Sequence, residues 1–259
     1  MGKLGINVMK FTFGIITGGN DKNLNIIVDS IEKQNIPEYE IIIVGDSNIN
    51  RTNTKVITFD ETIKKMWITR KKNIITENAK YENIVYMHDY IVLCDNWYEG
   101  FLEYGDYFSF CMNKIQNLDG SRYRDWTLWS YDCENLVSGL LIPYEMEHLS
   151  KLMYFSGSYW VAKKEMMFKY LLNDNLCWGE GEDVEWSYRV KKNNEFSMNK
   201  FSTVKLLKQK DKIFTFSSEK ENLILNTISL DQIENLNGEE KLFDFFKKNN
   251  IKWNEIDNI

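Results

Sequence analysis

Histidine is almost missing from this sequence. Only His88 and His148 are present, so a histidine-rich metal centre is excluded and any divalent ion must rely on oxygen ligands. Cysteine is scarce as well: Cys94, Cys111, Cys133 and Cys177 lack the C-x-x-C spacing of a zinc or redox site. A basic excess is also absent. The net charge of −6 and a pI near 5.2 argue against a surface that tracks nucleic-acid phosphates. No apolar run reaches the roughly 18 to 20 residues that span a bilayer, and the N-terminus shows no basic-then-apolar signal. The expectation is a cytoplasmic chain with reduced thiols whose membrane contact, given 14% aromatic residues, is at most peripheral. Two phosphate cradles are missing too. Neither G-x-G-x-x-G after a strand nor G-x-x-x-x-G-K-[ST] occurs, which removes dinucleotide and P-loop binding.

What is present is enough for one large core: 259 residues, 43% of them hydrophobic. Val8 to Thr17 is a β-rich apolar run ending in Thr17-Gly18-Gly19-Asn20, and Leu24, Ile27, Val28 and Ile31 follow at helical spacing. Tyr39 to Val44 reads as a buried parallel strand stopping at Gly45-Asp46-Ser47-Asn48, and Lys55 to Phe59 as a third strand. A helix is expected from about Glu61 to Asn78, with Ile63, Trp67, Ile74 and Ile75 on its apolar side. Asn83 to Met87 is a fourth strand, ending at His88-Asp89-Tyr90. Strands alternating with helices predict an α/β fold, a mostly parallel, doubly wound sheet flanked by helices. Its ligand crevice belongs at the strands' carboxyl ends, where Thr17-Gly18-Gly19, Asp46 and His88-Asp89 gather.

The second half is less regular. Tyr107 to Met112 and Ser156 to Ala162 read as strands and Lys163 to Leu172 as a helix, while Val184 and Tyr188 share a later helical face. Between them, Asn113 to Glu134 carries Arg122, Tyr123, Arg124, Asp125, Trp126 and Trp129 without a period, as a site-covering loop or an aromatic packing cluster. The division expected is a catalytic domain over 1–215 and a tail over 216–259. In that tail Leu242, Phe243, Phe245 and Phe246 are expected to make a short amphipathic helix docked on the domain, with membrane docking through Lys247 and Lys248 as the alternative.

The most informative run is Trp178-Gly179-Glu180-Gly181-Glu182-Asp183-Val184-Glu185-Trp186. Glycines allow close backbone approach, Trp178 offers a flat face to a sugar ring, and Glu182 or Asp183 is placed to take a proton from a hydroxyl. The same run also suits an acidic helix N-terminus meeting the helix dipole.

Three stretches together resemble the family 2 glycosyltransferases of GT-A fold. Glu40 to Ser47 is similar to their second strand, whose terminal aspartate contacts the nucleoside. Lys72-Asn73, followed by helix and then Glu82 to Asp89, is similar to their Arg-Asn helix and the strand carrying the Asp-x-Asp metal motif. Ser156-Gly157-Ser158 with Trp178 to Glu185 resembles the acceptor region of β-1,4-galactosyltransferases, whose Glu-Asp pair includes the base. The resemblance covers roughly residues 8 to 200. It departs at the metal motif, where His88 and Tyr90 stand in the two aspartate positions and Asp89 lies between them.

The resemblance implies inverting transfer of a hexose from a nucleotide-diphosphate sugar, UDP-linked, to a glycan acceptor. Thr17, Gly18, Asp46, Lys72 and Asn73 would hold the nucleotide. Asp89, with His88 as second ligand or as a mere strand cap, would hold Mn²⁺ or Mg²⁺. Asp183 would be the base and Glu182 its neighbour on the acceptor, with Trp178, Trp160 and Arg124 on the acceptor side. A sugar-phosphate nucleotidyltransferase would need an arginine-bearing glycine loop after the first strand, which Thr17-Gly18-Gly19-Asn20 lacks. A lectin-like module that binds carbohydrate without turnover stays open.

Overall fold

The computed structural model describes residues 8–128, 140–145, 147, 150, 153–211 and 214–215. The expected tail over 216–259, with His148, Trp129 and Cys133, lies outside the described residues.

The first half follows the hydrophobic pattern closely. β1 (Phe11–Ile16) is buried along its whole length, and α1 (Asp21–Glu32) buries Leu24, Ile27, Val28 and Ile31 on one stripe. Asn20 caps that helix, its side chain accepting from the Asn23 N–H at 3.2 Å. β2 (Tyr39–Val44) and β3 (Thr54–Ile57) follow, then α2 (Ile68–Asn78) and β4 (Asn83–His88). The helix expected from Glu61 starts seven residues later. Asp60 accepts from the Thr62 backbone and hydroxyl, Met66 takes a left-handed φ of 54°, and the Lys64 and Trp67 side chains donate to the Asp174 carbonyl. These local and long-range hydrogen bonds compete with helix formation, so Ile63 is 71% exposed rather than on an apolar face.

Beyond β4 come β5 (Ile91–Leu93), α3 (Trp97–Tyr104), β6 (Phe110–Gln116), β7 (Thr127–Leu128), β8 (Leu140–Leu141) and β9 (Met153–Tyr154). β10 (Tyr159–Lys163), α4 (Lys164–Lys169), α5 (Glu182–Lys191), β11 (Phe196–Leu206) and β12 (Phe214–Thr215) complete the described elements. β6 sits about three residues later than the apolar run implied, and α4 is shorter than the expected helix. On α5, Val184 is buried but Tyr188 only partly, and Trp186, Ser187 and Val190 carry the packing.

Eight strands form one mixed sheet in the order β3-β2-β1-β4-β10-β6-β11-β5. β3, β2, β1 and β4 are mutually parallel; β10 runs antiparallel to both β4 and β6, and β11 is parallel to β6. Six strands therefore share a direction, as a mostly parallel sheet requires, while β10 and β5 oppose it. β12, β8, β7 and β9 make a second, small sheet that the unpatterned loop did not announce.

Two aromatic clusters fill the core. Phe11, Phe13, Trp97 and Phe101 pack under α3, where the Trp97 indole N–H donates to the Tyr159 hydroxyl at 3.0 Å and so avoids an unpaired buried donor. Tyr86, Trp160, Trp186, Phe155 and Phe196 stack beneath the start of α5. Among the described residues no helix is long and apolar enough to cross a membrane. Cys94, Cys111 and Cys177 are free thiols.

Candidate active site

Register brings the polar strand ends level. Ile16 of β1 pairs with Val44 of β2 and with His88 of β4, so Thr17, Gly45 and Asp89 emerge side by side at the carboxyl edge. Backbone bonds lock this edge: Thr17 N–H to the Val44 carbonyl at 3.1 Å, Asp89 N–H to Ile16 at 3.2 Å, and His88 N–H to Ser158 at 3.1 Å. Because β10 runs the other way, its entry turn Ser156-Gly157-Ser158 arrives at the same edge.

The Thr17 hydroxyl donates to Asp89 Oδ2 at 2.7 Å and accepts from the Gly19 N–H at 3.0 Å. Gly45 has a φ of 139°, and a Cβ there would lie 2.2 Å from the Thr17 carbonyl oxygen, so only glycine lets β2 and β1 end this close. Gly18 is exposed with open space over it, and Asp46 is exposed beside Gly19. Asp46 is thus no buried structural aspartate. Thr17, Gly18, Asp46 and Asp89 share the carboxyl edge of the sheet.

The acidic run does begin a helix, and it does more. Gly181, at a φ of 73°, turns the chain into α5, presenting Glu182 and Asp183 to the β10 entry turn. Asp183 Oδ2 accepts from the Gly157 N–H at 2.7 Å and Oδ1 from the Val184 N–H at 2.9 Å, which orients the carboxylate from both sides. Gly157 fits tightly: a Cβ there would stand 3.2 Å from Asp183 Oδ2 and 3.4 Å from Glu182 Oε1. Glu182 is buried. That burial, reinforced by the adjacent Asp183 charge and opposed by Lys72, raises its pKa above the usual carboxylate range.

Lys72 lies with this acidic pair rather than with Thr17 and Asp46. Its ammonium donates to the Gly157 carbonyl at 2.7 Å and lies 4.4 Å from the centre of the Trp160 ring. Burial brings its pKa down to about 8, with Glu182 and Asp183 pulling the other way. Lys71, which the sequence did not single out, is the lysine that reaches the end of β1, donating to the Thr17 carbonyl at 2.7 Å and pairing with Glu61. Its only cue was its neighbour, one position round the same helix.

Two expected contacts are displaced inward. The Asn73 amide donates to the Leu172 carbonyl and to Asp174, and its oxygen accepts from the Leu172 N–H at 3.0 Å, so it pins a loop and faces no crevice. Trp160 is 1% exposed, stacked on Tyr86 with centroids 4.8 Å apart, and cannot meet an acceptor ring. Alternation along β10 places it on the core face. Trp178, by contrast, is 53% exposed, and its N–H donates to the carbonyl of the equally open Met66 at 3.1 Å. Arg124, held at a φ of 29°, lies within electrostatic reach of Tyr154, Tyr123 and Asp183.

The expected metal ligands do not suit a resident divalent cation. Asp89 already accepts from Thr17. His88 Nε2 is sealed from solvent without a hydrogen-bond partner, and burial together with Lys72, Lys208 and Lys210 holds the ring neutral well below its ordinary pKa. A cation there would meet one carboxylate already engaged by Thr17 and an inaccessible nitrogen. Among the described residues no cluster of three His, Cys, Asp or Glu side chains is placed to hold a metal. A surface depression lined by Lys80, Glu82, Lys164, Glu165 and Phe168 adjoins the opposite end of β4 and has no part in this crevice.

No protein-family model and no curated protein matches the sequence. Solved structures do resemble the fold. The crystal structure of GalNAc-T7 with UDP, GalNAc and Mn²⁺ aligns over 95% of this chain and 56% of its own, at 15% identity and a TM-score of 0.61. TarS 1-349 of S. aureus in complex with UDP-GlcNAc aligns over 79% of this chain and 60% of its own, at 16% identity and a TM-score of 0.55. TarS 1-349 of S. aureus also aligns in a second crystal structure, over 82% of this chain and 62% of its own, at 15% identity and a TM-score of 0.51. The chain thus spans somewhat more than half the length of these proteins, and what it shares with them is the GT-A fold.

Proposed function

We propose that this chain is a glycosyltransferase that moves a hexose from a nucleotide-diphosphate sugar to a hydroxyl of a glycan acceptor, with inversion at the anomeric carbon. The observation that carries the reading is the Asp183 carboxylate, fixed by the Gly157 and Val184 N–H groups at the sheet edge that also carries Thr17, Gly18 and Asp46. The UDP bound to GalNAc-T7 and the UDP-GlcNAc bound to TarS support UDP as the nucleotide. Asp46 contacts the nucleoside and Gly18 leaves room for its approach. The catalytic unit is assigned to residues 1–215 and the remainder, 216–259, to a tail.

In the reaction Asp183 takes the proton of the acceptor hydroxyl as that oxygen bonds to the anomeric carbon from the face opposite the donor phosphate. The carbon–oxygen bond to the diphosphate breaks, its electrons leaving with the nucleoside diphosphate. Lys72 steadies the acidic pair by charge. Glu182, buried beside Asp183, hydrogen-bonds the acceptor, and Trp178 stacks on the sugar ring. Incubation with a panel of nucleotide sugars and oligosaccharide acceptors, watching for nucleoside diphosphate release, tests the reading. Acceptor-dependent UDP release supports it. Carbohydrate binding with no release from any donor would make the chain a lectin-like module instead.

A further inference from the structure

Transfer from a nucleotide sugar, the reading on which this inference rests, leaves two phosphates whose growing charge must be met, and the His88-Asp89 end of β4 is poorly suited to hold a metal for it. A different group of charges stands beside that strand end. β11 runs parallel to β6 and in the direction of β4, so its exit, Leu207-Lys208-Gln209-Lys210, reaches the same carboxyl edge. The Leu207 N–H donates to the Tyr90 carbonyl at 2.8 Å, tying this exit to the turn that carries His88 and Asp89. Lys208 Nζ then lies 3.8 Å and Lys210 Nζ 5.5 Å from the centre of the Tyr90 ring, itself 5.3 Å from the His88 ring. Arg124 is within electrostatic reach of Lys210, and Asp211 acts on Lys210 in the opposite sense.

Two ammonium groups over one aromatic ring, with Arg124 within electrostatic reach of Lys210, repel one another, a cost that the free protein carries and an anion relieves. The ring gives both ammonium groups a shared rest position by cation–π attraction while leaving their N–H donors free to turn. We propose that Lys208 and Lys210, positioned by Tyr90 and backed by Arg124, form a diphosphate-binding site that neutralises the leaving nucleoside diphosphate without a resident divalent cation. The ammonium groups are compact point charges suited to phosphate oxygens. In sequence the pair is only a Lys-x-Lys after a strand.

The test is calorimetric titration of UDP and of uridine into the full-length protein in EDTA, at low salt and at about 0.3 M salt. The wild type should bind UDP in EDTA, more weakly at high salt, since partly exposed charges are screened. Removing one charge-assisted phosphate contact should weaken UDP about tenfold, so Lys208→Ala/Lys210→Ala should lose on the order of 30- to 100-fold while uridine binding and the thermal midpoint hold. Lys208→Arg/Lys210→Arg should recover most of the UDP affinity. UDP binding that requires Mn²⁺, or that is unchanged in the double alanine variant, overturns the proposal. If no nucleoside diphosphate binds with or without Mn²⁺, the nucleotide-sugar reading itself fails, and this site with it.

Discussion

Replacing Asp183 by asparagine separates the chemistry from the architecture, because its two oxygens do two different structural jobs. Oδ2 accepts from Gly157 at 2.7 Å and Oδ1 from Val184 at 2.9 Å. An asparagine has one acceptor oxygen, so one backbone N–H must face its amide group. Leaving a partly buried donor unpaired costs about 1 to 3 kcal/mol. Against a typical stability of about 5 to 15 kcal/mol, at least about 2 kcal/mol remains, enough to keep more than ~95% of the protein folded at 25 °C. Unfolding therefore accounts for no more than a few per cent of any lost rate. Loss of a general base lowers turnover about 10²- to 10⁴-fold, or roughly 3 to 5 kcal/mol in the barrier. The assay is nucleoside diphosphate release under saturating donor and acceptor, with donor affinity and thermal midpoint measured on the same preparations. Glu182→Gln should act mainly on acceptor KM. Glu185→Gln, which only breaks a half-exposed pair with Arg189, should change stability by about 0.5 kcal/mol or less and leave turnover alone. Near-normal turnover in Asp183→Asn with collapse in Glu182→Gln would move the base one residue back. Normal turnover in all three would reduce the acidic run to a helix start.

Gly157→Ala should cut turnover several-fold with donor affinity intact, since its Cβ must push Asp183 and Glu182 by a few tenths of an ångström; donor affinity falling in parallel would argue that the turn serves the nucleotide instead. Asp46→Ala should weaken UDP binding by calorimetry while moving stability by no more than about 0.5 kcal/mol, as its side chain is exposed. A large fall in midpoint with UDP affinity retained would contradict the crevice assignment. For Lys72 the sign follows from its lowered pKa: between about 8 and the ordinary 10.5 the unfolded chain holds the proton and the folded one does not, so this group makes stability rise with pH across that window. Comparing denaturant midpoints of the wild type and Lys72→Met from pH 7.5 to 10 should show the wild type gaining on the variant, and parallel curves would mean that the ammonium is better solvated than its burial implies.

Local pattern by itself determined the first half of the fold. Phe11, Phe13, Ile15 and Ile16 in β1, four consecutive apolar residues in β2 and the Leu24-Ile27-Val28-Ile31 stripe have one low-energy arrangement, a parallel sheet with helices on it, and strand ends interrupted by glycine and aspartate mark its crevice. The Glu182-Asp183 pair was legible for a similar reason: carboxylates behind glycine, before a helical period, must sit at a helix entrance. What pattern did not determine was anything fixed by a partner distant in the chain. The Glu61 to Trp67 stretch has helical composition, yet it is held open by the carbonyls of Asp174 and Asn175, more than a hundred residues away. Trp160 and Asn73 carry the chemistry of a binding site, but strand alternation turned one into the core and the Leu172 loop consumed the other. Lys72, Gly157 and Asp183 converge only because β10 runs against its neighbours, and Lys208 and Lys210 reach Tyr90 only because β11 does not. Strand direction is a property of how the whole sheet closes its hydrogen bonds. No window of the sequence contains it, so the tertiary structure alone decided which charges meet.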